Sequence, residues 1–369
     1  MSDQAPLGEA LSRLAVDQGL VGYGVSSIEP FLGVRSEMAR RVEDGTAGRQ
    51  RFTYTDVEVA TEPERSFPWA RSLIVGSATY LPAAGSPGPA RPNSGRIARF
   101  ATGDHYAPLR SALEAIADHL RSAGYRAEVL SDDNRLVDRA SAVRAGVAWW
   151  GKSTMALAPK YGPWLLLGSV VTDVALPESA PMARDCGTCV ACIPACPTGA
   201  LNDEGRLDAT KCISYWAQTP GLIPLEIREQ WGDRFYGCDD CLDACPPGQR
   251  WVSQAGGDGG RIDLLEVLAA PDEDLLDRHS HFYIPRRDAR FLRRNALVAL
   301  GHSGDAAAVP VVAGYLESSY AVLRSHAAWA LGRLGGSIAV DALARAEASE
   351  ADPEVQSELA VARQRAEAG

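Results

Sequence analysis

CGTCVACIPACP, residues 186–197, and CDDCLDACP, residues 238–246, decide how this chain is organised. The first run places Cys186, Cys189, Cys192 and Cys196 at the spacing C-x2-C-x2-C-x3-C-P. The second repeats the ending with Cys238, Cys241 and Cys245, and Cys212 stands alone between them, so all eight cysteines fall within this one stretch. That spacing is the bacterial ferredoxin pattern, in which the fourth cysteine of a run reaches the other cluster of a two-cluster domain. Applied here, the rule predicts two [4Fe–4S] clusters and uses every thiol. One cluster takes Cys186, Cys189, Cys192 and Cys245, and the other takes Cys196, Cys212, Cys238 and Cys241. Structural zinc accounts for CxxC pairs but not for two C-x3-C-P endings. Disulfides need an oxidising compartment, and the chain opens without a secretory signal.

Outward from the cysteines, 369 residues allow two or three domains. No apolar run approaches the ~20 residues of a membrane span, and no leader or anchor is present, so a cytoplasmic protein is expected. The net charge of −10 argues against nucleic-acid binding over the whole surface. The segment 1–178 alternates helix and strand signals. Leu109, Leu113, Ile116 and Leu120 make an amphipathic stripe, so 105–123 is a helix closed by Gly124. Strands are expected at 23–27, 72–80, 127–130 and 164–171, forming an α/β domain with a mixed sheet. Residues 82–95 and 254–261, rich in Gly, Pro and Ser, read as loops. Segment 179–255 is the short, loop-rich cluster domain, and 256–369 is helical. There RRNALVALGHSG (293–304) and RSHAAWALGRLG (324–335) match at a period of 31, as stacked HEAT-type helix pairs do.

Gly146 to Ser153, GVAWWGKS, matches the phosphate-loop pattern literally. A helix rather than a strand precedes it, prolines follow it, and Trp149 and Trp150 are ill suited to wrapping a phosphate. The tryptophans are better read as covering an apolar surface.

Several strings together resemble the tRNA epoxyqueuosine reductase family. They are CGTCVACIPACPTGAL, KCISYWAQTPGLIP, GDRFYGCDDCLDACP, VDRASAVRAGVAWWGKST, YGPWLLLGSVVTD and RFATGDHY, with the helical repeats behind them. The resemblance implies reduction of epoxyqueuosine to queuosine at the tRNA wobble position, with two [4Fe–4S] clusters and a cobalamin that has no histidine ligand. No D-x-H-x-x-G signature surrounds any of the six histidines. The fold then implied is multidomain, mixing α/β and α+β. It has an N-terminal α/β cobalamin-binding domain, a ferredoxin-like two-cluster domain and C-terminal HEAT-like α-helical repeats. Clusters pass single low-potential electrons, the corrin carries the carbon–oxygen chemistry, and an acid kept neutral by burial supplies the proton.

By position, the family's proton donor falls on Asp132, six residues before Asp138. Asp133 is its rival, and from the residues alone Asp132 is an ordinary turn aspartate. Cofactor contacts fall on Ala98, Asp132, Ala156, Leu167, Val170, Ser214, Thr219, Gly221, Cys238 and Asp239. The sequence departs from the family where Asn134 and Arg135 follow the aspartates and where Ala60 replaces an arginine. Arg286, Arg287, Arg290, Arg293 and Arg294, with Phe282 and Tyr283 before them, form a basic stretch able to grip tRNA phosphates. A low-potential electron donor and a monomeric state complete the expectation. A reductive dehalogenase-like reductase and a ferredoxin-like electron carrier are the alternative readings.

Overall fold

The computed structural model describes residues 4–81, 91–202, 205–255 and 260–368. The chain forms two compact units, each assembled from separated segments. The first comprises Met1–Ala84, Asp104–Thr210 and Asp240–Gly256, and the second comprises Gly85–Gly103, Lys211–Asp239 and Gly257–Gly369. These units cut across the three consecutive segments suggested by the sequence.

The first unit is built on four strands, β1 (Gly22–Ser26), β2 (Ser72–Thr79), β4 (Ala127–Leu130) and β7 (Leu165–Thr172), in the order β1-β2-β7-β4. Every pairing is antiparallel, with Ile74 opposite Val170 and Val129 on the other side of Val170. The mixed sheet expected here is therefore corrected. The strands meet through connections that reverse direction, so this unit is α+β in character. Val, Ile and Leu fill β2 and β7, which are buried along nearly their whole length, as central strands covered on both faces must be. Helix Tyr106–Ser122 covers one face and buries Leu109, Leu113, Ile116 and Leu120, the stripe read from the sequence. Each such leucine contributes about 1.5–3 kcal/mol by leaving water. The other face packs against helix Asp138–Arg144 through Ala140, Ala142 and Ala145. A short hairpin of β5 (Trp149–Trp150) and β6 (Ala156–Leu157) follows that helix.

The second unit contains β3 (Ser94–Ile97), β8 (Arg234–Tyr236) and β9 (Gly260–Asp263), ordered β8-β3-β9 with β3 in the centre. Of the two loops expected from composition, residues 82–90 and 256–259 lie outside the described residues. Ser94–Gly95 and Gly260–Arg261 are strand rather than loop, because β3 and β9 pair, with Ser94 and Gly95 opposite Asp263 and Ile262, and Gly260 and Arg261 opposite Ile97 and Arg96.

Helices Arg290–Leu300, Ala321–Leu334, Ser337–Ser349 and Pro353–Ala368 carry the repeats. The repeat-related glycines show why the period exists. A Cβ on Gly301 would lie 2.7 Å from the Trp329 ring, and one on Gly332 would lie 2.8 Å from the Ala362 backbone. Each glycine lets the next helix approach closely. No helix among the described residues is long and apolar enough to cross a membrane.

Candidate active site

Four thiols converge in the first unit. Cys186, Cys189, Cys192 and Cys245 line one cavity with Trp149, Lys152, Leu157, Pro246 and Pro247. A turn closed by Cys189 N–H on the Cys186 carbonyl sets the first two. Helix Cys192–Ala195 packs on helix Asp240–Asp243, and a turn from Leu242 swings Cys245 into place. This is the grouping expected for the first cluster. Among the described residues no three His, Cys, Asp or Glu side chains converge tightly enough for a single metal ion. Thiols set around a wider cavity suit a cubane instead.

Cys192 and Cys245 are buried. Burial and the neighbouring thiols push Cys245 up to about 12, and only a bound cation would offset the cost of ionising it. The Lys152 amide points at the Cys186 sulfur at 3.4 Å, and the Ala200 amide at the Cys196 sulfur at 3.2 Å. Both contacts aim a backbone donor at a cysteine sulfur. Cys196 and Cys241 belong to the first unit, Cys212 and Cys238 to the second.

The phosphate-loop lookalike thus takes part in thiol packing. Its Lys152 also donates through Nζ to the Gly187 carbonyl at 2.9 Å. Residues 149–150 form a strand and no helix follows, so a phosphate loop is ruled out by its context. Trp149 is buried against Leu157 and Cys245. Trp150 is 44% exposed.

Asp132 and Asp133 occupy the turn after β4. Asp132 has φ of +54°, a left-handed backbone that aspartate tolerates but rarely adopts. Its side chain is solvent-accessible yet crowded by protein, as in a recess. Desolvation pushes its carboxyl above the ordinary range, Arg110 pulls it down, and Asp133 pushes it up. Asp133 behaves oppositely. Arg135 donates to it from the backbone at 2.9 Å and from the guanidinium at 2.7 Å, so its carboxyl is held below the usual value.

Asp138 is pushed well above its usual value by burial and by Asp132, and its Oδ1 has no hydrogen-bond partner. Desolvation likewise raises the Tyr106 phenol, with Asp132 and Asp138 adding to it. Tyr106 and Arg110 were not singled out from the sequence, although Tyr106 ends the RFATGDHY string.

In the second unit Ala98, Cys238 and Asp239 line one concavity with Arg96, Ile97, Arg234 and Gly237. Asp239 accepts the Arg99 amide at 2.7 Å, with the Arg99 guanidinium 3.7 Å from the same oxygen. Gly237 has φ of +75°, and a Cβ there would lie 2.5 Å from Ala98 Cβ. Ser214 sits on helix Ile213–Ala217, Thr219 Oγ1 donates to the Tyr215 carbonyl at 2.7 Å, and Gly221 (φ +100°) faces open space.

Three first-unit candidates are core residues. Ala156, Leu167 and Val170 are all buried. Val170 has no accessible surface and lies on the opposite sheet face from Leu167, three positions away along the strand. That corrects its expected contact with a corrin.

The basic stretch also divides. Arg286 and Arg287 are exposed, both with positive φ, beside Tyr283, which is 65% exposed. Phe282 is instead stacked on Tyr236 with centroids 4.0 Å apart. Arg290 pairs with Asp288 and Arg293 with Asp272. Arg294 has no exposed surface at all. Its guanidinium donates to the carbonyls of Trp216, Thr219 and Gly221, so the expected phosphate contact at Arg294 is corrected.

Comparison with known proteins agrees with this layout. The family described as a 4Fe-4S double cluster binding domain matches residues 185–248, and HEAT repeats match 287–362. The chain is 31% identical to an epoxyqueuosine reductase of Bacillus cereus over 354 residues, covering 92% of each protein. It is 29% identical to that of Bacillus subtilis over 366 residues, covering 96% of this chain and 94% of the relative. A crystal structure of epoxyqueuosine reductase with an epoxyqueuosine-modified tRNA-Tyr stem loop superposes with a TM-score of 0.90 at 28% identity, covering 99% of this chain and all of the other. A Bacillus subtilis structure in which an aspartate-bearing catalytic loop has swung out of the active site matches at 0.89 and 27% identity, covering 98% of this chain and all of that one.

Proposed function

Because this chain belongs to the epoxyqueuosine reductase family, we propose that it reduces epoxyqueuosine to queuosine at the wobble position of tRNA, using two [4Fe–4S] clusters and a cobalamin. The observation that carries the chemistry is the pair of adjacent aspartates after β4 whose proton affinities are shifted in opposite directions. Loss of the epoxide oxygen as water consumes two electrons and two protons. Desolvation raises the proton affinity of the Asp132 carboxyl, which suits it to offer a proton to the departing oxygen. Asp133, kept ionised by Arg135, cannot make that donation, but its charge raises the proton affinity of Asp132.

The four thiols around one cavity, with an amide aimed at Cys186, suit an iron–sulfur cubane. Small residues favour a flat cofactor in the second unit, where Ala98 and Gly237 lie side by side and Gly221 presents no side chain. When bound, cobalamin supplies a cobalt centre for breaking the carbon–oxygen bond. Ala98, Cys238, Asp239, Ser214, Thr219 and Gly221 are the residues that would hold it on this side. Tyr283, Arg286 and Arg287 offer stacking and phosphate contacts for an anticodon stem loop.

The same reading assigns residues 1–178 to cobalamin and catalysis, 179–255 to the clusters and 256–369 to tRNA. It places the protein as a monomer in the cytoplasm, fed by a low-potential electron donor. Anaerobic reconstitution followed by iron and cobalt analysis and an assay on epoxyqueuosine-containing tRNA tests it. About eight irons and one cobalamin with queuosine formed is the expected result. Both cofactors bound without turnover would move the substrate elsewhere, and iron without affinity for cobalamin would favour an electron carrier.

A further inference from the structure

Arg294 is the most fully enclosed cation described in the second unit, and none of its hydrogen-bond partners is a carboxylate. Nη1 donates to the Thr219 and Gly221 carbonyls at 2.6 and 2.8 Å, and Nη2 to the Trp216 carbonyl at 2.7 Å. Nε and Nη2 donate to the Asn295 side-chain oxygen at 3.2 and 2.9 Å. All five N–H bonds of the guanidinium are thereby used. Asn295 turns its amide to the Ala217 carbonyl at 3.0 Å. His326 accepts the Ile223 amide at Nε2 (3.2 Å) and donates from Nδ1 to the Val322 carbonyl at 2.6 Å. Burial and nearby cations hold it neutral.

Asn295 and His326 are equivalent positions of the 31-residue repeat. Two successive repeats therefore spend the same site on one loop, Trp216 to Ile223. A buried cation without a counter-charge is costly. Here it is stabilised by the carbonyls that end helix Ile213–Ala217, where a positive charge is favoured. That helix starts on Cys212 as its cap, and the Trp216 amide bonds back to the Cys212 carbonyl at 3.1 Å.

We propose that Arg294, with Asn295 and His326, is a positioning residue for the electron-transfer site: it fixes the Trp216–Ile223 loop and, through the rigid turn of helix behind it, the thiolate of Cys212. The proposal rests on Cys212 being a cluster ligand. It converts a basic residue of the helical repeats from a nucleic-acid contact into a determinant of cluster geometry.

The test uses the full chain, reconstituted with iron and sulfide, as wild type, Arg294→Lys and His326→Phe. Lysine keeps the charge but cannot span three carbonyls, and phenylalanine removes the acceptor for the Ile223 amide together with the Nδ1 donor to Val322 on its own helix. Amide exchange over residues 213–223, the electron paramagnetic resonance spectrum and midpoint potentials of the reduced clusters, affinity for an unmodified tRNA stem loop, and kcat and KM are measured. Exchange over the loop is expected to rise about 10- to 100-fold in Arg294→Lys. The cluster spectrum and potential should change, and kcat should fall while tRNA affinity stays within about twofold. His326→Phe should show the same changes confined to the end of the loop. Weakened tRNA binding with unchanged loop exchange would return Arg294 to nucleic-acid contact. A folded variant with unaltered exchange and spectrum would reduce the cluster to packing, and either result overturns the proposal. The exchange and spectroscopic readouts need no turnover, so they stand even where the wild type fails on epoxyqueuosine.

Discussion

Asp132 and Asp133 are consecutive residues with opposite proton affinities. The first is raised by desolvation and by its neighbour's charge, and the second is lowered by Arg135, 2.7 Å away. Arg135 thus has a direct electrostatic effect on the pair. It separates the roles of two acids that the sequence alone leaves interchangeable.

Asp132→Asn is expected to lower kcat by about 10²- to 10⁴-fold with iron content and tRNA affinity retained. Asp133→Asn should cost far less. Single-turnover assays on epoxyqueuosine tRNA decide between them, and the reverse ranking would hand the proton to Asp133.

The pH profile should follow from the same pair. A donor whose pKa is raised is competent below that value and is lost as pH rises through it. In Asp133→Asn a negative charge that raises Asp132 disappears, so the alkaline limb of the kcat profile should move to lower pH. A limb that stays in place would mean that another group controls it.

Cys245→Ser should roughly halve the iron recovered after reconstitution, from about eight to about four per chain, because Cys245 completes the cavity formed with Cys186, Cys189 and Cys192. Iron content unchanged in this variant would separate Cys245 from that cluster.

Arg286→Glu with Arg287→Glu should weaken binding of a tRNA stem loop and make its salt dependence shallower by about one to two logarithmic units of slope. Fluorescence titrations between low and moderate salt measure it. An unchanged slope would remove this edge from the nucleic-acid interface.

Gly332→Ala should destabilise the second unit by about 1–3 kcal/mol, since its Cβ would lie 2.8 Å from the Ala362 backbone. Gly304→Ala meets nothing within 4 Å but has φ of +65°, so its cost is backbone strain of about 1 kcal/mol. Urea titration of both variants compares a helix crossing with a turn.

The cysteine spacing revealed the four-thiol cavity because ligand spacing is a local property. The amphipathic stripe at Leu109–Leu120 was readable for the same reason. Strand direction was not, since β2 and β7 are largely apolar and buried on both faces, and such runs are silent about their partners. Arg294 was misread because composition groups it with Arg293. The helical period held a warning, as residues 291, 294, 295 and 298 share a face and Phe291 and Val298 are buried. The repeat held another, since the counterpart of Arg294 is Ser325 and that of Asn295 is His326, both buried. Asp132 differs from Asp133 only through neighbours brought close by folding, which no linear pattern contains.

The centre strand of the second unit is also its earliest-made. β3 is synthesised long before β8 and β9, which flank it on either side. A ribosome that has not passed Arg234 has released Ser94–Ile97 with both strand edges bare, a state that invites pairing with other chains. Birth of this protein therefore includes an interval during which its first unit is largely in hand and its second cannot begin its sheet. Early termination yields a fragment prone to aggregation rather than a smaller working domain.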